Sequence, residues 1–379
     1  MRGKFRLSLA AVVFMAIGVL MPTPAAAAGG PTLVASGFDS PRGVAFFHGR
    51  LLVGEAGHGG PACVGALPTC LGLTGQVSSV NLRNGHQTRL VSNLISVSLG
   101  PEGTIGVGGI SVNDGRSLVI IGAAPQAIAG FPCATDECRA IVSAGAKQLG
   151  QLISVSRDGR WRAIAGVGAK DFDFTTTLPA PNEHDANPYG VLATSRGTYV
   201  ADAGANTLDF VNKRGQISIL QHFDRYAPND FPTDAVPDCV AQAGGSLWVA
   251  DLSGRLFRID GNSATQVPLA LIHHVTGCAS DDSGNLYLVD MWTTPGLPTP
   301  FTGDIVKFNA DEGTSSVIAS GLNFPNMDVV GPDGNLYFSA DSICPAGGIP
   351  GLCPNGGSVW KLALSHENDD GGGDNNQRN

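Results

Sequence analysis

Asn187-Pro188-Tyr189-Gly190-Val191-Leu192-Ala193, a turn at Ser195-Arg196-Gly197, then Thr198-Tyr199-Val200-Ala201-Asp202: this stretch reads as two short strands joined by a tight turn, and weaker copies of it recur along the chain. Pro41-Arg42-Gly43-Val44-Ala45 precedes Leu51-Leu52-Val53-Gly54-Glu55, and Pro237-Asp238-Cys239-Val240-Ala241 precedes Leu247-Trp248-Val249-Ala250-Asp251. Val275-Thr276-Gly277-Cys278-Ala279 goes with Leu286-Tyr287-Leu288-Val289-Asp290, and Pro325-Asn326-Met327-Asp328-Val329 with Leu336-Tyr337-Phe338-Ser339-Ala340. A degenerate copy joins Val107-Gly108-Gly109-Ile110 to Leu118-Val119-Ile120-Ile121, which makes six.

Each copy is followed by a third strand that opens with Gly, as in Gly75-Gln76-Val77, Gly150-Gln151-Leu152 and Gly303-Asp304-Ile305, and by a fourth after turns such as Arg157-Asp158-Gly159. Four short strands with tight turns, repeated about every 40 to 80 residues, are the pattern of a propeller blade. Helical periodicity is not evident anywhere, so the fold is read as all-β, a six-bladed β-propeller.

Closure of the ring is visible in the ends. Leu33-Val34-Ala35-Ser36-Gly37-Phe38-Asp39-Ser40-Pro41 aligns position for position with Val317-Ile318-Ala319-Ser320-Gly321-Leu322-Asn323-Phe324-Pro325, a fourth strand. The last blade, ending at Gly357-Ser358-Val359-Trp360-Lys361-Leu362, lacks such a strand. The N-terminal strand is therefore expected to complete it and remove the open edges.

Residues 1–28 have the layout of a signal peptide: Arg2, Lys4 and Arg6, an apolar run, then Ala25 to Ala28. The propeller is assigned to residues 29–365 and the Asp-, Asn- and Gly-rich residues 366–379 to a disordered acidic tail. The expected product is secreted, or extracytoplasmic, and monomeric, without stable membrane insertion. Lys and Arg number 23 against 32 Asp and Glu, and removing the three basic leader residues leaves 20 against 32, a net charge of about −12. Nucleic acid is thereby a poor partner.

Long connections, at 56–74, 123–149, 167–187, 224–236, 291–302 and 341–356, all leave one side of the ring, and function is expected there. Three of them carry cysteine pairs, Cys63 with Cys70, Cys133 with Cys138, and Cys344 with Cys353, which are expected to be disulfides in an exported chain. Cys239 and Cys278 occupy nearly equivalent places on neighbouring inner strands. They either bridge or stand too far apart to do so.

The first residue of each inner strand should line the mouth of the central channel: Arg42, Gly108, Tyr189, Asp238, Thr276 and Asn326. This set does not repeat, as expected of a ligand funnel and equally of drift at a solvated position. His184, between Glu183 and Asp185, has neighbours suited to a general base, though a solvated turn is the plainer reading. Glu55, Asp202, Asp251 and Asp290 recur at the end of the second strand, where a carboxylate is expected to accept backbone N–H groups. Glu55, Asp238 and Asn326 form the alternative set of calcium ligands, while the preferred expectation is no cofactor and a polar network joining Arg42 to Asp238. No nucleophile elbow, phosphate loop or paired-His metal motif occurs.

Asp185-Ala186-Asn187-Pro188-Tyr189-Gly190-Val191, followed by Val200-Ala201-Asp202-Ala203-Gly204-Ala205-Asn206-Thr207-Leu208, resembles the ScyD/ScyE family, exported relatives of NHL-repeat six-bladed propellers. The likeness extends over all six blades, and blade four departs in its quick turn at Leu252-Ser253-Gly254-Arg255. It implies a binding or scaffold module that meets a small molecule or protein at the long-loop face. The competing class is a calcium-dependent hydrolase like the six-bladed gluconolactonases, and Arg42 at the mouth argues against it.

Overall fold

A computed structural model describes residues 29–364, apart from 66–67, 101–102, 181 and 225–233. The leader and acidic tail assigned from sequence lie outside the described residues. The first strand, β1 (Thr32–Phe38), belongs to the last blade. Blade one contains β2 (Pro41–Phe47), β3 (Arg50–Glu55), β4 (Ala62–Val64), β5 (Thr69–Asn81), β6 (His86–Ser98) and β7 (Thr104–Ile105). Blade two contains β8 (Val107–Asn113), β9 (Arg116–Ile121), β10 (Gln151–Val155) and β11 (Trp161–Gly166). Blade three follows with β12 (Pro188–Ala193), β13 (Gly197–Asp202), β14 (Thr207–Asn212) and β15 (Ile217–His222). Blade four has β16 (Pro237–Ala243), β17 (Ser246–Asp251), β18 (Leu256–Asp260) and β19 (Ser263–Val267). Blade five has β20 (Val275–Ser280), β21 (Asn285–Asp290), β22 (Gly303–Asn309) and β23 (Ser315–Leu322), and blade six β24 (Asp328–Val330), β25 (Leu336–Ala340) and β26 (Gly357–Leu362).

The six sheets are antiparallel meanders, and the last has the order β1-β26-β25-β24. Leu33 pairs with Trp360 and Phe38 with Gly357, so the N-terminal strand closes the ring as its sequence match with β23 requires. Closure also builds a core between the last blade and the first, where Phe38, Leu51, Val53, Val80 and Val359 are all fully buried. Each such side chain contributes about 1.5–3 kcal/mol when removed from water.

Glycine explains how six inner strands can crowd one axis. A Cβ on Gly190 would lie 2.5 Å from the Asp238 carbonyl oxygen, and one on Gly277 would lie 2.3 Å from that of Asn326. In blade four the same position is Cys239. Its partner is Cys278 of the neighbouring inner strand, with a Cα separation of 5.6 Å, which resolves the open alternative in favour of a bridge. The other three disulfides join Cys63 to Cys70, Cys133 to Cys138 and Cys344 to Cys353. Closing a loop of this 39-residue separation restricts the unfolded chain by about 4 kcal/mol in the chain-entropy model.

Two helices correct the expectation that the long connections lack helix: α1 (Asp136–Gly145) and α2 (Val167–Thr175). Thr135 caps α1 by accepting the Cys138 N–H at 3.1 Å, and Asp136 and Glu137 complement its positive end. Its buried face comprises only Cys138, Ile141 and Gly145, too narrow a stripe to show as periodicity. Among the described residues no helix is long and apolar enough to cross a membrane.

Candidate functional site

The mouth residues are brought together, though not in the network anticipated. Tyr189 of blade three reaches across the axis, and its hydroxyl donates to Asn326 Oδ1 of the opposite blade at 2.8 Å. The ring thus bars the entrance to the channel. Burial pushes its hydroxyl up to about 12; Asp238 adds to that effect, while Arg42 and Asn326 oppose it. Thr276 donates to the Asn326 carbonyl at 3.5 Å, tying blade five to blade six. Gly108 contributes only backbone, and a Cβ there would lie 3.0 Å from the Tyr189 carbonyl oxygen.

Arg42 does not form the expected bond with Asp238. Its guanidinium donates to the carbonyl oxygen of Ser342 in the last long loop and, at 3.3 Å, to that of Thr104. Both acceptors are backbone groups, one in the last long loop and one in the short strand β7, so the arginine ties that loop and blade one together at the rim. Its charge acts on Asp238 only through space. Burial raises the Asp238 carboxyl well above the ordinary range, the nearby Asp251 adds to this, and Arg42 offsets part of it.

Beneath the tyrosine the channel narrows to a cavity of about 40 Å³ lined by inner strands of all six blades. Asp238 and Asp328 are its two acidic walls. Asp328 is buried, and neither carboxylate oxygen has a hydrogen-bond partner. Burial raises it well above the usual range; its own N–H and that of Ala279, neither forming a proper hydrogen bond with it, offset this only in part. Sequence reasoning missed Asp328 because it considered only the first residue of each inner strand.

Glu55, of the alternative calcium set, has both carboxylate oxygens engaged. One oxygen accepts the Asp39 N–H and the Gln76 amide, each at 2.8 Å, and the other accepts the Ser78 hydroxyl. None of these bonds involves Asp238 or Asn326; two lie within blade one, and the Asp39 N–H ties it to the residue just after the closing strand. His184 is exposed on the loop leading to β12 and makes no hydrogen bond to the mouth residues.

The recurrent strand-end carboxylates accept backbone N–H groups, as their position suggests. Asp202 takes those of Asn187, Gly204 and Ala205 at 2.6–2.9 Å. Asp290 takes those of His273 and His274 at 2.9 and 2.8 Å. Asp251 takes that of Arg255 at 2.9 Å and pairs with its guanidinium at 2.7 Å.

No family model and no curated protein matches the sequence. Among solved structures the chain is similar to a Bacteroides thetaiotaomicron protein of unknown function (10% identity, TM-score 0.53, covering 88% of this chain and 76% of that one). It is similar also to regucalcin from Agrobacterium tumefaciens, described as a calcium-binding protein (12% identity, TM-score 0.51, 88% and 93% covered). A putative gluconolactonase gives 11% identity, a TM-score of 0.51 and coverage of 90% and 96%. At such identities the likeness establishes the six-bladed fold and nothing finer.

Proposed function

We propose that this is an exported binding or scaffold propeller of the ScyD/ScyE type, which engages a small molecule or protein through its long-loop face around the Tyr189 bar. The observation that carries this reading is the channel floor. A cavity of about 40 Å³ is far smaller than the roughly 300–1,000 Å³ of a small-molecule pocket. Recognition is therefore assigned to the loops above the bar, the last of which Arg42 holds at the rim. The four disulfides suit an oxidising, extracytoplasmic setting. The family assignment rests on the residues from Asp185 to Val191 and from Val200 to Leu208.

The test is native mass spectrometry of the protein recovered from the medium of its producing cells, for the wild type and for Arg42→Gln and Tyr189→Phe. A retained species that dissociates in the variants, while both remain folded, is expected. Retention indifferent to both substitutions would remove the mouth from the reading.

A calcium-dependent hydrolase is the second reading, favoured by Asp328. Asp238, Asn326 and Asp328 would hold the ion from one end of the channel, and a bound calcium would polarise a substrate oxygen there. They fit only in part, because Asn326 Oδ1 already accepts the Tyr189 hydroxyl and calcium takes six to eight oxygens. Calorimetric titration of chelator-treated protein with calcium separates the two. Absence of heat is expected, and stoichiometric binding abolished by Asp238→Ala would promote the hydrolase.

A further inference from the structure

Helix α2 carries Asp171 into the wall of blade three, where it meets Asp202 at the end of β13 and Asp209 in the middle of β14. All three side chains are fully buried. Taken as carboxylates they have six oxygens, and donors reach only two of them. Asp202 Oδ1 takes the three backbone N–H groups already described, and Asp209 Oδ2 takes the Thr207 hydroxyl at 3.0 Å. Asp202 Oδ2, Asp209 Oδ1 and both oxygens of Asp171 have none. Three buried negative charges in contact cannot persist in that form.

Either a cation or protons must supply the missing donors. Among the described residues no group of three or more His, Cys, Asp or Glu side chains is placed to hold a metal ion. Instead Asp171 lies within hydrogen-bonding range of both other carboxyl groups. We propose that Asp171, Asp202 and Asp209 share protons in a latch that seats α2 on blade three and releases it as those protons leave, loosening the segment that leads to Tyr189.

The bonding order follows from the surroundings. Asp202 is raised well above the ordinary carboxylate range, by burial and then by Asp171, so it keeps its proton and donates to Asp171. Burial, with Asp209 adding to it, pushes Asp171 up to about 9, and it donates in turn to Asp209. Burial raises Asp209 only to about 7, because the Asp171 bond, the Thr207 hydroxyl and Lys170 favour its charged form. At neutrality the latch therefore keeps the protons of Asp202 and Asp171, while Asp209, near Lys170, exchanges its own. Among the described residues two further titratable groups meet α2: His222 of β15, whose ring lies 5.7 Å from that of Phe174, and Asp185, whose carboxyl burial raises to about 6. Burial lowers the pKa of that histidine.

The latch is joined to the mouth by the chain itself. Asp202 Oδ1 accepts the N–H of Asn187, two residues before the tyrosine bar. Thr175, at the end of α2, donates to the Asp185 carbonyl at 3.2 Å. Phe172 packs the helix on Ala124, Ala186 and Ala205, a small apolar seat that leaves the carboxyl contacts a large share of the docking. The inference is independent of what the mouth binds.

Hydrogen exchange of the intact protein from pH 5.5 to 9.5, corrected for intrinsic rates, tests the latch. Protection over 167–175 should fall by roughly tenfold or more for each unit from pH 5.5 to about 9, because the opened segment has released protons that the closed latch holds, and less steeply beyond, while the hairpin of β21 and β22 keeps its protection. In Asp171→Asn, whose amide donates without ionising, protection over 167–175 should fall less steeply than in the wild type, since only Asp202 and Asp209 still titrate, and its melting temperature should exceed that of the wild type at pH 9 but not at pH 5. Asp209→Asn serves as the second variant should the first fail to fold. Equal pH slopes in variant and wild type would overturn the proposal. Recovery of wild-type protection at pH 9 on adding calcium, magnesium or manganese would overturn it too, because a cation would then be the shared partner.

Discussion

Blades one and three solve the same problem in opposite ways. Each ends its second strand with a buried carboxylate, Glu55 or Asp202, and the two are equivalent in the sheet register. Gln76 and Ser78 on the third strand of blade one correspond to Thr207 and Asp209 in blade three. In blade one both third-strand residues donate to Glu55, and the Asp39 N–H completes its shell. In blade three the serine is replaced by an aspartate, and α2 adds another. A repeat thus fixes where an acid must sit, while the neighbour two positions away decides whether it is a rivet or a titrating group.

The largest effect should come from removing the rivet. Glu55→Ala leaves the Asp39 N–H, the Ser78 hydroxyl and the Gln76 amide without their acceptor at the joint that closes the ring. Breaking such a buried charged network costs about 3–5 kcal/mol. Urea denaturation should show this as a lower midpoint with a similar slope. A loss below 1 kcal/mol would mean that Glu55 is not holding blade one to the closing strand.

Transplanting the acid comes next. Ser78→Asp recreates in blade one the pairing of Asp202 with Asp209, without Asp171 or Lys170 to share it. Burial already raises the Glu55 carboxyl above its ordinary value, and a second acid should raise it further. The folded form then holds a proton that the unfolded chain has released above about pH 4. Stability should therefore be near wild type at pH 4 and fall as pH rises to neutrality, by about 2–4 kcal/mol. Melting curves at pH 4 and 7.5 that differ from wild type by the same amount would contradict this.

The blades were legible because turn glycines and alternating strands repeat, and ring closure because β1 and β23 share a sequence. The carboxylates at the strand ends were legible for the same reason. What resisted was whatever one blade does alone. The α2 segment, Val167-Gly168-Ala169-Lys170-Asp171-Phe172, has no apolar stripe, and nothing local shows that its aspartate will be buried. Asp209 did leave a trace, a charged residue between Leu208 and Phe210 in a strand, but its meaning depends on Asp171, 38 positions earlier. The partners of Arg42 were not legible: it is given Asp238 from sequence but donates to the backbone carbonyls of Thr104 and Ser342, which carry no signature there.

The smallest expected effect is also the one of unusual sign. Asp209→Ser converts blade three to the pattern of blade one, giving Asp202 and Asp171 a hydroxyl in place of a third acid. In the wild type, Asp209 is raised to about 7 and Asp171 to about 9, and burial holds Asp202 well above its ordinary value. The folded form therefore binds protons that the unfolded chain gives up above about pH 4, and its stability declines as pH rises through these values. Removing Asp209 removes one of these groups and relieves Asp171. The variant should gain about 1–2 kcal/mol at pH 8, a rise in melting temperature of roughly 2–4 °C for a chain of this size. At pH 4, where Asp209 is protonated in both forms, the gain should vanish, and the Thr207 hydroxyl, having lost its acceptor, should make the variant slightly the weaker. A buried aspartate that served only as a structural hydrogen-bond acceptor would give the reverse, a loss at pH 8, so the sign of a single difference in melting temperature distinguishes a titrating group from a rivet.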